Sequence, residues 1–369
     1  MSNSRRRYRA ILTKLAQIYG YPTGHALKRL QAQAAYISGI IGSGSTKGRE
    51  VAKHSGLKAK VESRVKRLSR WYNNDKVCHE LDYLPYIEEL LEALAGCDLP
   101  IAIDGSEIGR GCMVLMVSLI YNNRAIPLAW TVFERPKGHA SAEEHIALLE
   151  VVKQFLPAES TIIFLGDGEF DSVELQAYVD SLPKWEYVCR TAKNTLIYYD
   201  GEWLSLDSIV IGPDTCLTLE AVLFTAQAYG PIQVVLRWDS HSAEPLYLVT
   251  SLDIGEEACY LYQHRMKIET FFSDQKSRGF NLHKSHISDA VRLSRLLIAA
   301  CLAYIWMIYL GTQAHLRNFI PLIHRTDRCD LSLFQLGLDL LHYFLEEDKA
   351  ILIDFRLPIS LFRVHTVGL

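Results

Sequence analysis

Residues 99–133 read LPIAIDGSEIGRGCMVLMVSLIYNNRAIPLAWTVF. The stretch holds three apolar runs, Leu99–Ile103, Cys112–Tyr121 and Ala125–Phe133, and each predicts a strand. Asn122-Asn123-Arg124, between the last two, has the chemistry of a hairpin connection. The three strands can therefore pair as an antiparallel meander. The first run ends at Asp104, and a glycine follows it.

Downstream the pattern alternates. Ser141–Phe155 predicts a helix, with Glu143 and Glu144 near its start. Thr161–Leu165 (TIIFL) predicts a strand that ends at Gly166-Asp167-Gly168. Asp171–Leu182 predicts a helix and Trp185–Arg190 a fifth strand. Three strands, helix, strand, helix, strand resembles the ribonuclease-H-like architecture, an α/β fold with a mixed sheet and helices on both faces. Residues 197–252 change character again. Cys216–Leu223 and Pro231–Trp238 are strand-like, with turns at Asp200-Gly201, Gly212-Pro213 and Ser240-His241, and predict an inserted β subdomain. A single helix is expected from about Glu256 to Gly279.

Upstream, residues 8–72 read as helical: Ala10–Ile18, His25–Ile40 and Lys58–Tyr72, with a flexible turn at Gly42–Ser45. Tyr86–Leu94 adds a short helix leading into the body. Charge is divided unevenly. Residues 1–76 carry 17 Lys plus Arg against three acids, and the rest of the chain carries 22 against 39. A basic block on an acidic body points to a polyanion, with nucleic acid the usual one. Arg64, Lys66, Arg67 and Arg70 crowd the third helix and could sit against phosphates.

Other classes are disfavoured. The eight cysteines are scattered with no C-x-x-C pair, which argues against a zinc site and a disulfide framework and fits reduced thiols in a cytosol. The basic N-terminus lacks the apolar stretch and cleavage site of a secretory signal. Leu296–Leu310 is an unbroken apolar run of 15, with Arg292 and Arg295 just upstream. A membrane span needs about 20 apolar residues, so a helix buried in a large core is expected and no membrane partner. Beyond residue 316 a mostly helical tail is expected.

Two aspartates, Asp104 and Asp167, lie at or just past apolar strands, where the crevice of an open α/β sheet forms. Singly, an Asp beside Gly is also a common turn residue. On the helix expected after the β insertion, Tyr262, Arg265, Glu269 and Lys276 fall within roughly a 60° arc at helical spacing. That face could equally be solvated, with an Arg265–Glu269 pair.

The combination is more specific than its parts. Tyr-x2-Arg-x3-Glu-x6-Lys, read in YQHRMKIETFFSDQK, resembles the pattern of the insertion-sequence-four group of DDE transposases of bacterial insertion sequences. IAIDGS and LGDGEFD are similar to that group's two aspartate motifs, in the same order. The resemblance spans roughly residues 60–310, β insertion included. It implies that Asp104, Asp167 and Glu269 hold two Mg²⁺ ions, which Mn²⁺ can replace, for cutting and joining DNA. Hard Mg²⁺ prefers carboxylate oxygens, which suits this donor set. Arg265, Lys276 and Tyr262 would then grip the DNA backbone.

Members of the group also often stack a flipped base on a Trp of the β insertion. Trp238 is the candidate, with Tyr247 beside it, while Trp185 and Trp203 read as core. Gly168 stands where relatives often carry Arg. His264 reads as a surface residue, and Lys193, His283 and His286 are further possible DNA contacts. The implied function is Mg²⁺-dependent cleavage at element ends and strand transfer into target DNA, by a cytoplasmic homodimer holding two inverted-repeat ends. A structure-selective DNA nuclease, or a degenerate copy acting as a DNA-binding repressor, are the alternatives. The expected organisation is a basic helical DNA-binding unit over 1–95, a catalytic core over 96–196 and 253–315, the β insertion over 197–252, and a helical tail over 316–369.

Overall fold

The computed structural model describes residues 1–136, 138–325 and 327–362. Its N-terminal part is helical: α1 (Asn3–Ile18), α2 (Gly24–Ser43), α3 (Gly48–His54), α4 (Val61–Tyr72), α5 (His79–Asp82) and α6 (Leu84–Glu92). The short α3 lies in what reads as a loop after the flexible turn. It has Glu50 in its first turn and Lys53 and His54 in its last, charges that suit the helix dipole.

The meander forms as expected. β1 (Leu99–Ile108), β2 (Cys112–Tyr121) and β3 (Arg124–Phe133) pair antiparallel. Asn122 and Asn123 adopt φ of 41° and 61°, the left-handed pair of a tight hairpin. α7 (Ala142–Lys153) and α8 (Val173–Asp180) are the helices of the crossovers to β4 (Ile162–Gly166) and β5 (Trp185–Arg190), which add parallel beside β1. Ser141 and Glu144 close a capping box at the start of α7. Every residue of β2 and β4 is buried. Side chains alternate across a strand, so both faces of these inner strands are covered.

The β insertion does not stand apart. β6 (Leu196–Tyr199), β7 (Glu202–Ser205), β8 (Thr215–Phe224), β9 (Tyr229–Trp238) and β10 (Leu246–Thr250) continue the same sheet, because β10 pairs antiparallel with β5. One ten-stranded mixed sheet results, in the order β3-β2-β1-β4-β5-β10-β9-β8-β6-β7. β8 and β9 mix buried and exposed positions along their length, unlike the inner strands.

The helix expected over 256–279 is two helices, α9 (Gly255–Arg265) and α10 (Lys267–Gln275). Met266 separates them with ψ of −12°, and a backbone N–H at this end of α9 closes on the His264 carbonyl in a tight turn. α9 packs over β4, β5, β8 and β9, and α10 over β1 and β3. α11 (Ala290–Leu316) contains the long apolar run and is mostly buried within the fold. α12 (Ile320–Ile323) and α13 (Leu333–Glu346) follow. Residues 363–369 of the expected tail lie outside the described residues.

α11 and α13 cross at glycines. A Cβ on Gly337 would lie 1.9 Å from the Met307 carbonyl oxygen, and one on Gly311 would lie 2.0 Å from that of Leu333. The backbones touch there, so no side chain fits. The N-terminal helices are fastened to this layer. Arg295 of α11 donates to the Val77 and Tyr72 carbonyls, and Arg6 of α1 to those of Leu345 and Lys349.

Candidate active site

β1 and β4 are parallel neighbours, with Ala102 opposite Leu165. Asp104 and Asp167 each lie two residues further along, so the shared register sets them side by side. Asp104 is inside β1, not at a strand end: the strand runs on to Ile108, paired with β2 through Met116. β4 stops at Gly166, and the chain turns at Asp167, whose Oδ1 accepts from the Glu169 N–H at 3.0 Å.

α9 and α10 bring the third carboxylate. Arg265 ends α9 and Glu269 lies in the first turn of α10, so the joint at Met266 falls between them. The Arg265 guanidinium is surrounded by acid. Its Nη1 lies 3.2 Å from Asp167 Oδ2 and 4.0 Å from Asp104 Oδ2, and its Nη2 lies 2.6 Å from Glu269 Oε1. Its side chain is 5% exposed, against 47% for Glu269. Arg265 is thus inside the acidic cluster. Nη2 also contacts Met266 Sδ at 3.4 Å, while Nε is buried without a partner.

Burial pushes the Asp104 carboxyl up to about 6. Arg265 opposes this and Asp167 adds to it, so desolvation and like charge together outweigh the guanidinium. Burial likewise raises the Tyr262 phenol to about 12. Tyr262 is 8% exposed and faces the same ends of β4 and β5, with Arg265, Arg190 and Asp167 in electrostatic reach.

A cleft of about 440 Å³ opens on the acids, lined by Asp104, Ser106, Asp167, Glu269, Ser273 and Lys276. Lys276 lies just past α10, not on one face of a long helix, and its Nζ donates to Ser106 Oγ at 2.8 Å. Sequence reasoning passed over Ser106 and Ser273. The first is visible in the IAIDGS motif, the second only as position i+4 from Glu269.

The other candidates separate. Trp238, at the end of β9, is half-buried and donates from Nε1 to the Ser242 carbonyl at 3.1 Å, and it does not line the cleft. Tyr247 lines a neighbouring cavity of about 480 Å³ that reaches Asp167, with His139, Arg190 and Lys193 on its walls. Lys193 pairs with Glu244 at 3.1 Å. Trp185 is buried as expected, but Trp203 is 47% exposed because its strand β7 is the outer edge of the sheet. His264 is half-buried on the Tyr260 carbonyl, and His283 and His286 are exposed on the segment after α10.

The basic α4 is also divided. Arg64 donates to the carbonyls of Ala59 and Ala52, so it serves the α3–α4 junction. Lys66 is exposed. Arg67 and Arg70 line a groove of about 830 Å³ beside α2, together with Lys28, Arg29, Trp71 and Lys76. Lys28 and Arg29 were not singled out from sequence, since their shared groove with α4 is set by helix packing.

With the geometry in place, comparison with known proteins fixes the class. The chain belongs to the family described as Transposase DDE domain, which matches residues 100–306. It is a transposase by family, an enzyme that cuts and joins DNA, and such enzymes generally use divalent metal ions. Among solved structures, a piggyBac transposase synaptic complex with hairpin DNA aligns with 94% of this chain and 80% of that one, at 12% identity and a TM-score of 0.43. A search of curated proteins finds no match.

Proposed function

We propose that the chain is a cut-and-paste transposase of the insertion-sequence-four group, built on a ribonuclease-H-like core, with Asp104, Asp167 and Glu269 as its metal-binding acids. The observation that carries this reading is the convergence of those three carboxylates, from three separated segments, on one positive charge. The donor set fits Mg²⁺ or Mn²⁺, since it offers only hard carboxylate oxygens. Among the described residues no three His, Cys, Asp or Glu side chains are grouped closely enough to hold an ion as they stand. The guanidinium lies between them, and accommodating metal requires it to move.

Bound divalent cations would supply activation of water or a 3′-hydroxyl and stabilisation of the leaving oxygen. The chain's own groups do the rest. Lys276 and Tyr262, with Arg265 once released, neutralise and orient the phosphodiester at the cleft mouth. Ser106 fixes the Lys276 ammonium. The basic groove of α2 and α4 holds DNA of the element ends or the target by its backbone, and Trp238 is kept as the candidate for stacking a base. Two ends in one complex imply a homodimer acting on DNA in the cytoplasm, with residues 1–95 as its DNA-binding unit and the catalytic core over 96–196 and 253–315.

The test is an assay in Mg²⁺ on DNA carrying the sequences that flank the gene. Cleavage at the ends, and joining of pre-cleaved 3′ ends to a target plasmid, are expected. Cleavage without joining overturns the transposition reading in favour of a nuclease. Binding with no cleavage in either Mg²⁺ or Mn²⁺ overturns both.

A further inference from the structure

We infer that the Arg265 guanidinium is a built-in counter-ion that holds the three carboxylates together in the free protein and must be displaced before the centre accepts divalent cations. The inference rests on the reading of Asp104, Asp167 and Glu269 as the metal-binding acids.

Three carboxylates in one cleft repel one another unless a cation lies among them. Here one fork reaches all three, at 3.2, 4.0 and 2.6 Å. A planar guanidinium can do this because its nitrogens are fixed in divergent positions, whereas a single ammonium cannot span the set. The Arg265 side chain is 5% exposed, so these charges act on one another with little screening by water. The absence of an ion-ready group of acids among the described residues is what a guanidinium wedge produces.

Two further features make the wedge removable. Nε is buried and bonds to nothing, so the guanidinium is held by fewer bonds than it can make. Arg265 is also the last residue of α9, beside the Met266 joint, so it can shift relative to Glu269 on α10 without unwinding either helix. Once out, a guanidinium pairs readily with a phosphate. DNA therefore draws Arg265 away from the acids and raises their affinity for metal. Linkage makes the coupling reciprocal: metal raises the affinity for DNA. The free enzyme stays unarmed until it is on its substrate.

The test uses Mn²⁺ alone, titrated by calorimetry into the full-length wild type and the Arg265→Gln, Arg265→Lys and Asp104→Asn variants, without DNA. Arg265→Gln is expected to bind Mn²⁺ at least about tenfold more tightly than wild type. In chelator it should melt at a lower temperature than wild type, with the difference recovered by Mn²⁺. Arg265→Lys, which keeps the charge but loses the span, should fall between. If the Gln variant does not fold, the Lys variant decides alone: a few-fold tightening supports the inference and wild-type affinity overturns it. Mn²⁺ binding that Asp104→Asn abolishes but Arg265→Gln leaves at wild-type strength overturns this inference only. Mn²⁺ binding indifferent to Asp104→Asn overturns the metal-site reading beneath it.

Discussion

Lys276 Nζ donates to Ser106 Oγ at 2.8 Å, which ties the residue closing α10 to the strand that carries Asp104. The ammonium's place over the cleft thus depends on a hydroxyl two residues beyond the first aspartate. A hydrogen bond to a charged group is worth about 1.5–3 kcal/mol. Ser106→Ala is therefore expected to slow DNA cleavage roughly tenfold and to lower stability by no more than about 1.5–3 kcal/mol. Single-turnover cleavage rates check this, and an unchanged rate would detach Lys276 from Ser106 in function.

Stability should depend on pH through the buried carboxyls. Burial raises Asp104 to about 6 and Asp274 to about 6, in each case against a nearby arginine, from an ordinary value of 3.8. Both native values lie above the unfolded one, so the native state binds these protons more tightly. Their stabilising contribution is full below about pH 4 and is lost as pH rises through about 6, by roughly 3 kcal/mol each. Urea denaturation in chelator checks the sign. Asp104→Asn should gain on wild type between pH 4 and 7; a difference constant with pH would show that Asp104 titrates normally.

Gly337→Ala sets two effects against each other. Alanine favours a helix over glycine by about 1 kcal/mol, which alone predicts stabilisation. The new Cβ would lie 1.9 Å from the Met307 carbonyl oxygen, so α11 and α13 must separate. Overpacking of this kind costs typically 1–3 kcal/mol and often more when backbone must move. A net loss of at least about 1 kcal/mol is expected by urea denaturation. A gain would mean that the two helices part easily.

Much of the architecture was legible because it is local. The Asn122-Asn123 hairpin, the Ser141 cap and the apolar runs each announce themselves within a few residues. Asp104 and Asp167 stood out as strand-end acids, but that β1 and β4 are parallel neighbours, which sets the two side by side, is read from the structure. The rest depends on contacts between distant segments. Nothing in residues 197–252 states that β10 will pair with β5, so an insertion that extends the main sheet reads as a separate unit. No proline or glycine marks the break at Met266. The helical arc put Arg265 beside Glu269, but its place among all three acids follows from their meeting in space. Arg64 and Arg70 look alike in sequence, and only the packing of α3 against α4 gives them different work.

That difference is testable by salt. Each lysine or arginine that neutralises a DNA phosphate contributes about 0.9 to the slope of log affinity against log salt. Arg70→Ala and Lys76→Ala, in the groove beside α2, should each weaken binding and reduce the slope by about one. Arg64→Ala should leave the slope unchanged and instead cost about 1 kcal/mol of stability, since it frees carbonyls at the α3–α4 junction. Equal slopes for wild type and the groove variants would remove the groove from the DNA path.

Glu269→Gln separates the fold from the chemistry. Glu269 is 47% exposed, and its partner keeps two other carboxylates, so loss of the charge should cost well under 1 kcal/mol of stability. An amide is a poor ligand for a hard divalent cation, however, because it contributes no charge. Cleavage should fall by a factor of about a thousand or more, the scale of losing one group that acts only in the transition state. DNA binding in chelator should survive, since the loss of one acid near the phosphates weakens nothing electrostatically. Mn²⁺-dependent cleavage within a few-fold of wild type would show that Glu269 pairs with Arg265 for structure alone, and that the cations are held by Asp104 and Asp167 with a different third ligand.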